Sequence, residues 1–214
     1  MEQNTTQKIR VQSPKELHDL LISKGIDLSQ WGQHDAKTVP DLWQEIVAEE
    51  AYLQEPPLRR IVPAVVRLII RQGNRMLIEV QQAFRDGRTR SRGIPPSEKL
   101  RRGESYLDGA IRCVAEELRV ARSHVQVMEG THQIHHACHR SRSYPGLQSQ
   151  HTFHTVDVQV QGLPQGEFST DEYSQHDGEL YARNYWAWHY PSHDAVAFAD
   201  PDEDESMRSH ADVT

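Results

Sequence analysis

The chain has 214 residues, 36% of them hydrophobic, and a formal net charge of -7. That length fits one main domain of ~100–200 residues with an appendage, and a mean hydropathy of -0.74 points to one core with solvated ends. No apolar run approaches the ~18–20 residues of a membrane span; the richest, 61–70, is broken by Pro63 and Arg67. The first ten residues are polar, without a signal-peptide core, and Cys113 and Cys138 are too few for a disulfide framework. A cytoplasmic location without membrane association is expected.

The charge is unevenly spread. From Asp194 onward, seven acidic residues stand against Arg208, whereas between Arg85 and Arg102 seven basic residues stand against Asp86 and Glu98. A balanced body with one concentrated positive segment suits a small anionic ligand better than a long nucleic acid.

Residues 1–12 read as flexible. Ser13-Pro14-Lys15-Glu16 is a capping box with proline at the first helical position. Leu17, Leu20 and Leu21 then make an apolar stripe, and Gly25 is a stop. A second helix is expected from Val39-Pro40 to about Leu53, with Thr38 as its cap and Pro56-Pro57 closing the unit. The Val- and Ile-rich run 61–70 reads as a buried strand, Gly73-Asn74 as a turn, and 76–84 as the second strand of a hairpin. Residues 85–104, rich in Arg, Pro and Gly, read as a functional loop. Leu107, Ala110, Ile111, Val114 and Leu118 fall on one face of a helix over 105–119. Further strands are expected at 124–128, 133–139, 153–160 and 185–189.

The helix at 105–119 carries the informative motif. Arg102-Gly103-Glu104-Ser105 is followed, seven residues after Glu104, by Arg112-Cys113-Val114-Ala115-Glu116-Glu117-Leu118-Arg119-Val120. Successive helical residues turn about 100°, so positions 113, 116 and 117 share an arc of about that width beside the apolar stripe. Two carboxylates projecting together repel unless a cation sits between them, and oxygen ligands suit Mg2+ or Mn2+.

Residues 98–120 resemble the Nudix box, G-x5-E-x7-R-E-U-x-E-E-x-G-U, with U a bulky aliphatic residue. Glu104, Arg112, Val114, Glu116, Glu117 and Val120 match in register; Glu98, Cys113 and Arg119 replace the first glycine, an acid and the last glycine. The resemblance implies an α/β fold, a Nudix-like α/β/α sandwich with a mixed sheet, here carrying a short N-terminal helical extension. It implies Glu104 and Arg112 as structural support of the site. Glu116 and Glu117 are implied as catalytic metal ligands for Mg2+ or Mn2+. Lys99, Arg101 and Arg102, directly before Gly103, are the expected phosphate-binding residues, with Arg88, Arg90 and Arg92 on the same segment. Cys113 offers a soft thiol that a hard cation does not favour, so a glutamate there is expected to strengthen metal binding.

Other clusters are less specific. His132, His135, His136, Cys138 and His139 do not follow a zinc spacing. In a strand His135 and His139 share one face, and His136 and Cys138 the other. Trp186 and Trp188 share a face that suits core packing. Asp171, Glu172, Asp177 and Glu179 are expected in a polar loop that folds over the site, where spacing selects no general base.

The expected organisation is a flexible 1–12, a helical extension 13–57, a Nudix-like domain 58–192 and an acidic disordered tail 193–214. The first functional reading is divalent-metal-dependent hydrolysis of a pyrophosphate bond in a nucleoside diphosphate derivative. The second is a degenerate Nudix-fold module that binds a nucleotide or a protein without chemistry; a small RNA-binding module is a weaker third. The expected ligand is a nucleotide-type small molecule, and a homodimer stays open.

Overall fold

The computed structural model describes residues 6–190 except 35, 86 and 174–178. The acidic segment 193–214 and Asp177 lie outside the described residues. The strands in chain order are β1 (Gln7–Ile9), β2 (Tyr52–Glu55), β3 (Arg59–Ile69), β4 (Arg71–Gln72), β5 (Arg75–Phe84), β6 (Thr89–Ile94), β7 (Ser97–Lys99), β8 (Val125–Arg140), β9 (Gln148–Val160), β10 (Phe168–Tyr173) and β11 (Leu180–His189). The α-helices are α1 (Pro14–Ser23), α2 (Val39–Val47) and α3 (Tyr106–Glu117).

These strands form two sheets. The first has the order β1-β2-β3-β9-β8, with β7 also on β3. It is mixed because β3 and β9 run parallel while its other pairs are antiparallel. The second, β10-β11-β5-β4 with β6 on β5, is antiparallel throughout. The main core lies where α3 meets both sheets. Ala110, Cys113, Val114 and Leu118 pack against Val66, Leu68 and Val156 of the first sheet and Leu77 and Trp186 of the second.

Local chemistry explains the helices. The Ser13 hydroxyl accepts from the Glu16 N–H at 3.1 Å, but Glu16 reaches past Ser13 to the Gln12 N–H. Gly25, at φ +77°, turns the chain out of α1 without the steric cost of a Cβ. Thr38 and Asp41 form a reciprocal capping box on α2. That helix ends at Val47, and the chain becomes strand β2 where a longer helix was expected. Leu17, Leu21 and Leu42 pack with Leu53, Tyr144 and Leu147. The Trp31 indole N–H donates to the Pro145 carbonyl at 2.9 Å. The helical unit is thereby seated on β2 and the turn before β9.

Several expectations need correction. The strand over 61–70 does not form the hairpin; β3 belongs to the first sheet, and only Arg71–Gln72 pairs with β5. Residues 85–104 are not one loop, because β6 and β7 lie within them. The segments 124–128 and 133–139 are one strand with an irregularity between Met128 and Gln133. Asp171 and Glu172 are on a strand, and Gln7–Ile9 pairs with β2. The α/β/α layering is seen only as α3 on the core and an α1–α2 pair at its side; the described residues contain no further α-helix. None of the described helices is long and apolar enough to cross a membrane.

Candidate functional site

The box folds as a loop feeding directly into α3. The Ser105 hydroxyl accepts from the Asp108 N–H at 3.1 Å and starts the helix. Gly109 faces Leu100; a Cβ there would lie 2.1 Å from the leucine Cδ2, so its absence lets the lead-in segment lie close to the helix. Glu104 turns back and accepts from the Arg101 backbone N–H at 2.8 Å. Its carboxylate also takes two hydrogen bonds from Arg112, at 2.8 and 2.9 Å. Arg112 further donates to the Lys99 carbonyl at 2.7 Å and to Glu116 at 3.0 Å. The Arg112 hydrogen bonds hold the Glu104 carboxyl below its ordinary pKa, and Glu104 raises the arginine's own. The pair expected to support the loop is a bidentate, charge-assisted cradle.

Arg119 occupies the position where the resembled pattern has its last glycine. Its φ is +58°, in the left-handed region that costs an L-residue about 1–2 kcal/mol. The guanidinium reaches the Asp171 carbonyl, with Nε at 2.9 Å, and lies 5.3 Å from the Tyr173 ring centroid. Glu98, at the pattern's first glycine, lies on β7 without a positive φ.

Glu116 and Glu117 face different partners. Glu116 accepts from Arg112 and, at 3.2 Å, from Arg101. Glu117 turns toward the second sheet and accepts from the Asn184 side-chain amide at 3.0 Å. That amide lies 3.5 Å from Glu172, which also accepts from Gln82 at 3.1 Å. Glu79, 3% exposed, accepts from Arg92 at 2.9 Å through Oε2, while its buried Oε1 makes no hydrogen bond. Burial, then the charges of Glu172 and Glu79, push the Glu117 carboxyl up to about 9. Burial also raises Glu172 and Glu98.

The donor chemistry of this group fits a hard divalent cation. Glu117 and Glu172 are half-buried carboxylates with raised pKa values, and buried Glu79 contributes an oxygen without a hydrogen bond. Among the described residues no three His, Cys, Asp or Glu side chains are gathered closely enough to hold an ion alone. Mg2+ commonly takes one or two carboxylates and completes its shell with water and substrate phosphate, so a two-carboxylate set suffices. Cys113 is excluded as a ligand: it is fully buried in the core, and burial followed by the Glu117 charge keeps its thiol protonated.

The expected phosphate-binding residues are engaged within the chain. Lys99 Nζ lies 2.8 Å from Glu45 and 2.9 Å from Glu50. Arg102 pairs with Glu49 at 3.0 Å, and Arg101 with Glu116. On β6, Arg90 reaches the Ser143 hydroxyl at 3.3 Å and Arg92 meets Glu79. His135 stacks on Phe153 and His139 on His151, whereas the His136 Nδ1 lies 3.1 Å from the Thr152 hydroxyl. His132 lies over the Tyr106 ring at 3.8 Å and within 3.0 Å of a His154 nitrogen.

Sequence reasoning missed Glu79, Gln82 and Asn184. Their signal was a polar residue on the inward face of a strand; Glu79 and Asn184 are 3% and 1% exposed. The structure also separates Glu172 from its neighbour. Asp171 points outward to Arg183 at 2.6 Å, while Glu172 faces Glu117 through Asn184.

No family model matches the chain, and no curated relative matches it. Among solved structures, a C. elegans Ap4A hydrolase binary complex is 15% identical over 59% of this chain and 79% of that one, at a TM-score of 0.32. A second structure of C. elegans Ap4A hydrolase is 16% identical over the same shares, at a TM-score of 0.29. Likeness at this level fixes neither family nor activity.

Proposed function

We propose that the chain is a Nudix-like, divalent-cation-dependent hydrolase of a pyrophosphate bond in a nucleoside diphosphate derivative. The observation that carries this reading is half-buried Glu117, tied through the Asn184 amide to half-buried Glu172 beside buried Glu79, its carboxyl pushed up to about 9. Glu117 and Glu172 would hold Mg2+ or Mn2+. Bound there, the cation supplies neutralisation of phosphate charge and an acidified water. Glu116, expected beside Glu117 on the ion, instead orients Arg101 and Arg112. Arg101, with its side chain 56% exposed, is free to turn toward a phosphate at small cost, since exposed ion pairs are worth about 0–1 kcal/mol. Arg102, with its side chain 82% exposed, is free in the same way, whereas Lys99 stays held by Glu45 and Glu50.

A second reading has its own support. Cys113 buried as a thiol, and Glu116 neutralised by two arginines, favour a module that binds a nucleotide or protein without turnover. One experiment separates them. Mn2+ is titrated against thermal stability, and a panel of nucleoside diphosphate derivatives is screened for phosphate release with the parent and Glu117→Gln. Metal-dependent turnover lost in the variant supports the hydrolase. Turnover that survives Glu117→Gln removes the assignment to this site, and ligand binding without turnover leaves the second reading.

A further inference from the structure

Glu45 is an acid on the core-facing side of an amphipathic helix, three residues after the fully buried Leu42 and itself 5% exposed. Three cations converge on it. Lys37 donates to Oε1 at 2.9 Å and Lys99 lies 2.8 Å from the same oxygen. Arg60 donates to Oε2 through Nε at 3.0 Å and through its terminal nitrogen at 2.6 Å. Lys37, Arg60 and Lys99, in that order, overcome the cost of burial and hold the carboxyl far below its ordinary pKa. The three cations come from three places: the turn before α2, strand β3, and strand β7 at the entrance to the box.

Lys99 links this hub to the site. Its side chain ends on Glu45, and its backbone carbonyl accepts from Arg112 at 2.7 Å. Arg112 in turn holds Glu104 and Glu116. The β7 backbone is a three-residue strand paired only to β3, so the ammonium anchor fixes an element with few other ties. We infer that the N-terminal helical unit is a working part of the site, with Glu45 a positioning residue that sets the Glu104–Arg112 cradle through Lys99. The inference rests on the hydrolase or ligand-binding reading for its use, but its geometry stands apart from either.

The test is Lys99→Met in the full chain. The variant keeps the apolar stem on β7 and removes only the ammonium, which leaves Lys37 and Arg60 on Glu45. The Arg112 Nε–H resonance, identified by its loss in Arg112→Lys, reports the cradle directly. Its solvent exchange is expected to quicken about tenfold in Lys99→Met. Mn2+ affinity is expected to fall about tenfold, as when an outer partner of a ligand set is lost. Lys99→Arg restores both, and Glu50→Gln, which leaves Glu45 on Lys99, changes neither. A purely structural role would lower the melting temperature and leave the Arg112 resonance protected, and that result overturns the inference. So does a Glu50→Gln effect as large as that of Lys99→Met. If the parent binds no Mn2+, the metal-dependent function falls, while Arg112 exchange still decides the role of Glu45.

Discussion

The Glu117 carboxylate rests 3.0 Å from the side-chain amide of Asn184, a residue 67 positions further along the chain. Buried Asn184 gives one amide to two half-buried carboxylates, Glu117 and Glu172, in a group that also holds buried Glu79. The amide satisfies hydrogen bonds but supplies no positive charge. Burial and the neighbouring carboxylates therefore favour the protonated form of Glu117.

A pH dependence follows. The unfolded chain's glutamate titrates near ~4.3, and in the folded chain Glu117 is pushed to about 9. The stability this group contributes is complete below the unfolded value and is lost as pH rises through the folded one. Glu172 and Glu98, also raised, act in the same direction. Metal-free protein is expected to melt at progressively lower temperature from about pH 6 to about pH 9. Glu117→Gln should flatten that slope and melt higher than the parent at the alkaline end. A parent whose melting temperature is level across this range would contradict the assignment.

Cation binding should show the reverse trend. An ion on Glu117 displaces its proton, so Mn2+ affinity is expected to rise by up to about tenfold per pH unit while Glu117 titrates. Calorimetry in two buffers of different ionisation enthalpy would count the released proton. Affinity independent of pH would place the ion elsewhere.

Cys113→Glu illustrates what the tertiary structure changes. By the resemblance to the Nudix box, a glutamate there would complete the acid set. The side chain is fully buried among Val66, Leu68 and Leu118, with Glu117 and Glu98 as its charged neighbours. The substitution is expected to cost about 3–5 kcal/mol, because it buries an acid without a partner, and to leave metal binding no stronger. Chemical denaturation measures the first effect and Mn2+ titration the second.

Arg119 allows a separation of backbone strain from side-chain contact. Arg119→Gly removes the left-handed strain and the link to Asp171 and Tyr173 together. Arg119→Ala removes the link and keeps the strain. The glycine variant is expected to be more stable than the alanine variant by about 1 kcal/mol, read from denaturant midpoints. Equal midpoints would mean that the backbone conformation carries no cost here.

The Arg112 cradle should not tolerate lysine. A single ammonium cannot reproduce the two parallel bonds to Glu104 together with those to Glu116 and the Lys99 carbonyl. Arg112→Lys is expected to destabilise by about 2–3 kcal/mol, with thermal melting as the measurement.

Much of this architecture was legible locally. The caps of α1 and α2, the limits of α3 and the burial of its apolar stripe follow from spacing that repeats every turn. The Glu104–Arg112 pair was legible too, through its register within the box. The partners of Lys99 were not: Glu45 and Glu50 lie about fifty residues away, one in α2 and one just past its end, where local propensity extended the helix too far. Nor was the split of 61–84 between two sheets, since Gly73-Asn74 marks a turn without stating which strand continues beside it.

The sequence by itself determined that Glu116 and Glu117 sit side by side on one helix, because helical rotation is a local property. Only the tertiary structure decided that they part company, Glu116 to the arginines of the loop and Glu117 to Asn184 and Glu172. That choice depends on strand register and on which strand neighbours which. Those relations are fixed when distant apolar faces are buried against each other, and no window of neighbouring residues contains them.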